Sequence, residues 1–303
     1  MSEQKKYIAI VGLGSMGLGM ARSLVRAGHA VAGCDINPIA VESLESDGGL
    51  GFSTPALAAE NADIVVTVVV NAAQTEMVLF GAGGVAEKLK PGSVIISSAT
   101  MSPTEAKKFA ARAAEKGVLY LDAPISGGSV KADAGKLTVM ASGSPEAFAA
   151  AKPALDAMAD TVYTLGDDVG IGSSFKIVNQ LLAGVHIAAA CEAITFAKSL
   201  GLDISRVFEV ITKSAGNSWM FENRIPHVLA GDYSPHSAIS IFTKDLGIVS
   251  DIGRTQKFPL PIASAALQLF LMTEAAGMGR DDDSSVARFL AQITGLNLPG
   301  MED

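Results

Sequence analysis

The chain has 303 residues, about twice the ~150 of a typical domain, which favours two domains. Apolar residues make up 49% of it and charged residues 18%, a globular composition apolar enough to include a large subunit interface. Its formal net charge of −8 excludes electrostatic attraction to nucleic acid or an anionic membrane, and means that an anionic ligand needs positive groups gathered locally.

The N-terminal residues Met1 to Lys6 are polar and run directly into a strand, so no signal or transit peptide is expected. Tyr7 to Val11 reads as that strand. Ser15 to Ala27 has helical spacing, with Met16, Met20, Leu24 and Ala27 on one face. Gly28 and His29 end it, and Ala30 to Cys34 form a second strand. Ile64 to Val70 is a β-branched run of the kind covered on both faces, and Val94 to Ile96 and Val118 to Leu121 look similar. Ser102 to Glu115 is an Ala-rich helix between the last two. Strands alternating with helices predict a parallel, doubly wound sheet of the Rossmann type.

The pattern changes between Gly166 and Gly172, after which β-branched strands disappear. A long helix is expected from about Ser173 to Leu200, and further helices at Ile204 to Thr212, Ile241 to Gln256, Ile262 to Ala276 and Ser284 to Thr294. The uncharged stretch from Ile177 to Cys191 is shorter than the ~20 residues of a membrane span and carries Asn179, Gln180 and His186, so it reads as a buried helix. The expected architecture is an α/β domain over residues 1–167 followed by an all-α domain over 168–303. Cys34 and Cys191 form no CxxC pair or Cys/His cluster, so no metal site and no disulfide framework is expected. The expectation is a cytoplasmic protein.

Gly12-Leu13-Gly14-Ser15-Met16-Gly17 follows the first strand and opens the first helix. In that context Gly12 permits the tight turn, Gly14 lets the backbone approach a pyrophosphate, and Gly17 lets helix and strand pack closely. The helix N-terminus adds N–H groups and partial positive charge for the phosphates. Asp35 ends the second strand, where an acid accepts hydrogen bonds from an adenosine ribose. No Arg or Lys follows it in Ile36-Asn37-Pro38, which predicts NAD rather than NADP as the cofactor.

Lys176 lies near the start of the long helix, after Gly170 and Gly172. Asn179 and Gln180 stand three and four residues on and share its face. A proton-exchanging group beside two amides is what alcohol–carbonyl interconversion needs, and a solvated lysine at a helix start fits the same spacing. As a base in oxidation Lys176 must be neutral; desolvation and a nearby nicotinamide cation both push its pKa down from ~10.4. Ser126-Gly127-Gly128 is a turn able to aim N–H groups at a carboxylate, or a plain turn. Thr100 follows a strand, either near a ligand or capping the next helix. Lys244-Asp245 opens a helix, either as a cation near the cofactor or as a surface pair. His29, His186, His227 and His236 share no triad or metal spacing.

Together these pieces resemble the β-hydroxyacid dehydrogenase family, which includes 3-hydroxyisobutyrate dehydrogenase and tartronate semialdehyde reductase. Four segments carry the resemblance in order: Gly12 to Gly17; Asp122-Ala123-Pro124-Ile125-Ser126-Gly127-Gly128; Gly170 through Lys176 to Asn179; and Lys244-Asp245-Leu246. It implies that Lys176 is the catalytic acid/base and that Ser126, Gly127 and Gly128 hold the substrate carboxylate. It further implies that Thr100 lies near the nicotinamide, with Val70, Asn71 and Lys244 also on the cofactor side, and that the chain forms homodimers or homotetramers through its α domain. Gln180 stands where the family often has Asn, Val70 where it often has Pro, and Ser237 where an aromatic is common. With Ala215-Gly216-Asn217-Ser218-Trp219, these departures look most like a branch that oxidises a four-carbon sugar acid at C2, with Asn217 and Ser218 as further substrate contacts. A 3-hydroxyisobutyrate or tartronate semialdehyde enzyme is the alternative, and a non-catalytic NAD-binding sensor a second; the presence of Lys176 favours an enzyme.

Overall fold

The computed structural model describes residues 5–301, so the polar start lies, as far as Gln4, outside the described residues. Contacts along the chain divide it into two compact units, Met1–Lys176 and Ile177–Asp303.

The first unit opens with β1 (Tyr7–Val11), α1 (Gly17–Arg26), β2 (Ala30–Cys34), α2 (Pro38–Ser46), β3 (Leu50–Phe52), α3 (Pro55–Ala59), β4 (Ile64–Thr67) and α4 (Ala72–Phe80). It continues with β5 (Val94–Ser97), α5 (Pro103–Ala114) and β6 (Leu119–Asp122). These six strands form one parallel sheet in the order β3-β2-β1-β4-β5-β6, with β1 paired to both β2 and β4. Strand residues alternate between two cores. Ile8, Ile10, Val66 and Ile96 pack with Met20 and Leu24 of α1 on one face. Ala9, Val11, Val65 and Ile95 pack with Phe109 and Ala113 of α5 on the other. The doubly wound sheet is therefore present as read from the sequence, with both faces buried.

β4 ends at Thr67, earlier than its β-branched run suggests. Its continuation bends over the first glycine turn, where the Val68 carbonyl oxygen lies 2.2 Å from the point a Cβ on Gly12 would occupy. A second, small sheet went unread: β7 (Ile125–Ser126), α6 (Gly128–Asp133), β8 (Leu137–Ala141), α7 (Pro145–Met158) and β9 (Ala159–Thr164). In it β8 pairs antiparallel with β7 and parallel with β9.

α8 (Ile171–Ser199) is a single helix of 29 residues that starts in the first unit and runs into the second. By length and composition it is apolar enough to cross a membrane. In the second unit its residues Ile187, Cys191 and Ile194 are fully buried in a core with Ile225, Phe242 and Phe270. That unit adds α9 (Ile204–Ile211), α10 (Trp219–Ala230), α11 (Ile239–Gln256), α12 (Pro261–Thr273) and α13 (Val286–Thr294). α10 was not expected. Its helical pattern is interrupted by Pro226, and Ser218 starts it as a cap.

Candidate active site

The glycine turn divides its labour. Gly12 has φ +96°, and a side chain there would strike Val68. A Cβ on Gly17 would fall 1.8 Å from the Gly12 carbonyl oxygen, so this glycine brings α1 against the turn. Gly14 differs, because among the described residues none beyond its own neighbours lies within 4 Å of the position its Cβ would take. No packing within the described residues demands a glycine there. α1 begins at Met16 with no side-chain cap and no acid in its first turn, which leaves its N–H groups available to an anion. Over Gly14 and Ser15 opens a cavity of about 540 Å³, bordered also by Leu18, Arg22, Asn37 and Ile39. These features fit the pyrophosphate and adenosine of a nicotinamide dinucleotide.

The Asp35 carboxylate ties this loop together, accepting from Leu13 N–H at 2.5 Å and from Asn37 N–H at 2.8 Å. Arg22 is a cation beside the cavity that the sequence reading missed, because it comes from one turn inside α1 rather than from the residues after Asp35. It is bound to Asp47 at 2.6 Å and lies 3.5 Å from Asp133, so its charge is already compensated. Asn71 caps α4 by accepting from Gln74 N–H, and Gln74 in turn accepts from Val70 N–H. Thr100 is half-buried and is not the cap of α5; Ser102 is, accepting from Glu105 N–H at 3.2 Å.

Ser126 closes β7, and the turn after it is left-handed at both Gly127 (φ +136°) and Gly128 (φ +76°). Gly128 has open space around its absent Cβ. The residue just before the turn reaches the catalytic candidate: Lys176 is 8% exposed and its Nζ donates to the Ile125 carbonyl at 2.9 Å. Lys176 is thus a buried amine held beside the Ser126–Gly128 turn, not the solvated lysine that spacing alone also permitted.

Asp122 is a residue whose part the sequence did not reveal. Its buried carboxylate accepts from Gly170 N–H (3.0 Å), Ser173 N–H (2.8 Å) and the Ser173 hydroxyl (2.7 Å). Ser142 accepts from Gly172 N–H at 2.9 Å. The first amides of α8 are therefore capped from β6 and from the end of β8 rather than from the helix's own lead-in. Gly172 is required there, because a Cβ would lie 2.4 Å from the Met140 carbonyl oxygen. Burial pushes the Asp122 carboxyl up, against the hydrogen bonds from Ser173 and Gly170 that hold it down.

In the second unit, Asn179 Nδ2 donates to Gln180 Oε1 at 2.9 Å, and Gln180 Nε2 donates to the buried Asp245 carboxylate. Lys244 pairs with the other oxygen of Asp245 and is not a plain surface pair, since its side chain is only 19% exposed. Ser218 caps α10, accepting from Phe221 N–H, and keeps its own hydroxyl proton to donate. Asn217 Nδ2 donates to the Thr212 carbonyl and to Glu222, while its buried Oδ1 has no hydrogen-bond partner among the described residues. The structure so joins Asn179, Gln180, Asp245 and Lys244 in one group and leaves Asn217 and Ser218 in another. Among the described residues no group of three or more His, Cys, Asp or Glu could hold a metal ion.

Residues 7–166 match the family model described as the NAD binding domain of 6-phosphogluconate dehydrogenase, and residues 170–290 that described as NAD-binding of NADP-dependent 3-hydroxyisobutyrate dehydrogenase. The chain is similar to L-threonate dehydrogenase of Cupriavidus necator, at 50% identity over 97% of this chain and 98% of that one. It is 32% identical to the mitochondrial 3-hydroxyisobutyrate dehydrogenase of Homo sapiens, over 95% of this chain and 88% of the other. Among solved structures, one from Salmonella typhimurium titled 3-hydroxyisobutyrate dehydrogenase superposes with a TM-score of 0.89 at 50% identity, covering 93% of this chain and 98% of that one.

Proposed function

The chain belongs to the family of nicotinamide-dependent hydroxyacid dehydrogenases that includes 3-hydroxyisobutyrate dehydrogenase, and from that premise we propose that it oxidises L-threonate at C2 to the 2-oxo acid, with NAD as its cofactor. The observation that carries the chemistry is Lys176, a buried amine on a helix whose next turn presents Asn179 and Gln180. The substrate rests on the relatives named L-threonate dehydrogenase, at 46–50% identity over nearly the full length.

The chemistry that a bound nicotinamide would supply is a hydride acceptor for the carbinol carbon. Lys176, as the neutral amine, takes the hydroxyl proton in the same direction and returns it as the ammonium in reduction. The carbonyl of Ile125 fixes the amine at its start point. Ser126, Gly127 and Gly128 receive the substrate carboxylate, and Asn179, Gln180, Asn217 and Ser218 meet its hydroxyl groups. Gly12 to Gly17 would hold the pyrophosphate and Asp35 the ribose, and Val70, Asn71, Thr100 and Lys244 would hold the rest of the cofactor. Preference for NAD follows from Asp35, whose carboxylate repels a 2′-phosphate, while Arg22 is committed to Asp47. Copies of the chain associate through apolar side chains that α8 leaves exposed, among them Phe175, Val178, Leu182 and Phe196; light scattering during gel filtration should show a dimer or tetramer.

The test is initial-rate NADH formation on L-threonate, D-erythronate, L-serine, 3-hydroxyisobutyrate and D-glycerate. A site that hydrogen-bonds substrate hydroxyls rejects analogues lacking them, so L-threonate should exceed 3-hydroxyisobutyrate in kcat/KM by at least about a hundredfold. Equal efficiency on the two defeats the C2 assignment, and comparable kcat/KM with NADP defeats the cofactor preference.

A further inference from the structure

We propose that Asp245 is a positioning residue that sets the hydrogen-bond polarity of the Asn179 amide, so that Asn179 offers its carbonyl oxygen, rather than its NH2 group, to a substrate hydroxyl. This rests on the reading of α8 as the substrate-facing helix. A side-chain amide is a donor at one end and an acceptor at the other, and either end can face a ligand unless a neighbour decides. Here the neighbour decides. Asp245 is 1% exposed, and a carboxylate only accepts. It therefore takes the Nε2 end of Gln180, at 2.5 Å. Gln180 is 7% exposed and must then turn Oε1 outward, and that oxygen accepts from Asn179 Nδ2 at 2.9 Å. The Oδ1 end of Asn179, three residues along α8 from Lys176, is left facing away from the pair.

The charge of Asp245 is held by its neighbour in sequence. The Lys244 ammonium lies against Asp245 Oδ1 as an ion pair without an aligned hydrogen bond, which leaves Oδ2 to orient Gln180. α8 and α11 are close enough for this because Gly184, one turn after Gln180, faces Leu246: a Cβ at Gly184 would lie 2.9 Å from a Leu246 methyl carbon. An Asn at position 180, shorter by one C–C bond of about 1.5 Å, would not span to Asp245 and hold Asn179 at once. A substrate hydroxyl that meets the Oδ1 end of Asn179 is thus a donor, and an acid lacking that hydroxyl leaves Oδ1 unsatisfied.

Two readouts test this. In 15N-labelled protein, the side-chain N–H protons of Gln180 and Asn179 should exchange slowly in the wild type and at least tenfold faster in Asp245→Leu. In kinetics, the kcat/KM ratio of L-threonate over 2-hydroxybutanoate should fall at least tenfold in the same variant, through KM more than kcat. Gln180→Glu sets two carboxylates against each other and should lose the ratio too. The double variant Asp245→Asn with Gln180→Glu moves the charge one residue along the chain of hydrogen bonds and should recover the kcat/KM ratio and the slow exchange of the Asn179 side-chain protons. This pair of variants decides the matter if Asp245→Leu fails to fold. Unchanged exchange and an unchanged ratio in Asp245→Leu overturn the proposal, as does a double variant no better than Gln180→Glu alone. A wild type inactive on L-threonate defeats the substrate assignment instead, and the exchange rates still decide the polarity.

Discussion

Gly14 and Gly17 stand three residues apart and are constrained by different things. A methyl group on Gly17 collides with the Gly12 carbonyl, so Gly17→Ala should destabilise the fold by about 1–3 kcal/mol in urea titration. A methyl group on Gly14 meets nothing in the chain, so Gly14→Ala should keep stability within about 0.5 kcal/mol while raising KM for NAD severalfold. Lys176 gives the second contrast. Lys176→Met should lower kcat by about 10²–10⁴-fold with NAD affinity retained by fluorescence titration. The sign of the pH dependence follows from its role: oxidation needs the neutral amine and should rise with pH, whereas reduction needs the ammonium and should fall. All three positions were legible in the sequence, because strand–glycine–helix order and the i, i+3, i+4 spacing are local. Asp122 and Asp245 were quoted only as members of motifs. Their partners lie 48 to 65 residues away, and nothing in a linear pattern shows which carboxylate ends up under which helix.

At the level of elements, α8 is a helix whose start belongs to the sheet beside it. Its first amides are held by Asp122 at the end of β6 and by Ser142 after β8. Asp122→Ala should cost at least about 2 kcal/mol of stability, since it removes a remote cap and leaves buried N–H groups unpaired. kcat should fall with it, because the same β6–β7 segment supplies the Ile125 carbonyl that holds Lys176. The long elements α5, α8, α9 and α11 were readable within one or two residues, their apolar periodicity being sustained over several turns. The β7-β8-β9 sheet was not, because β7 has only two residues and β9 is largely exposed and follows α7 without a turn.

At the scale of the whole molecule, stability also depends on a charged cluster in the second unit that takes no part in the proposed chemistry. Arg224 holds the buried Asp283 with two bonds, at 2.6 and 3.0 Å. Burial pushes the Asp283 carboxyl up, to about 6, and Arg224 opposes this, so the pair is ionised at neutral pH. Arg224→Met leaves that carboxylate alone and should cost about 3–5 kcal/mol, read from the urea midpoint at pH 7. His227 beside it is raised above its ordinary value chiefly by its hydrogen bond to Asp282. Its contribution is therefore complete below the unfolded value near ~6.5 and is lost as pH rises through the folded one. Activity per folded molecule should not follow that change.

The reach of Asp122 across the chain bears on how the protein is made. On the ribosome, all six strands of the parallel sheet have been synthesised once Asp122 emerges, yet of the donors to its carboxylate only the long 3.5 Å bond from Ser142 precedes those of Gly170 and Ser173. Until then the nascent chain either keeps this acid in water or buries it protonated. A polypeptide released after Asp167, where glycine and aspartate mark the change of pattern, would carry every strand of the Rossmann sheet and still lack the Gly170 and Ser173 donors to the carboxylate at the end of its sixth strand. A truncation series should therefore yield a folded first unit only when its end point lies beyond Ser173, within α8.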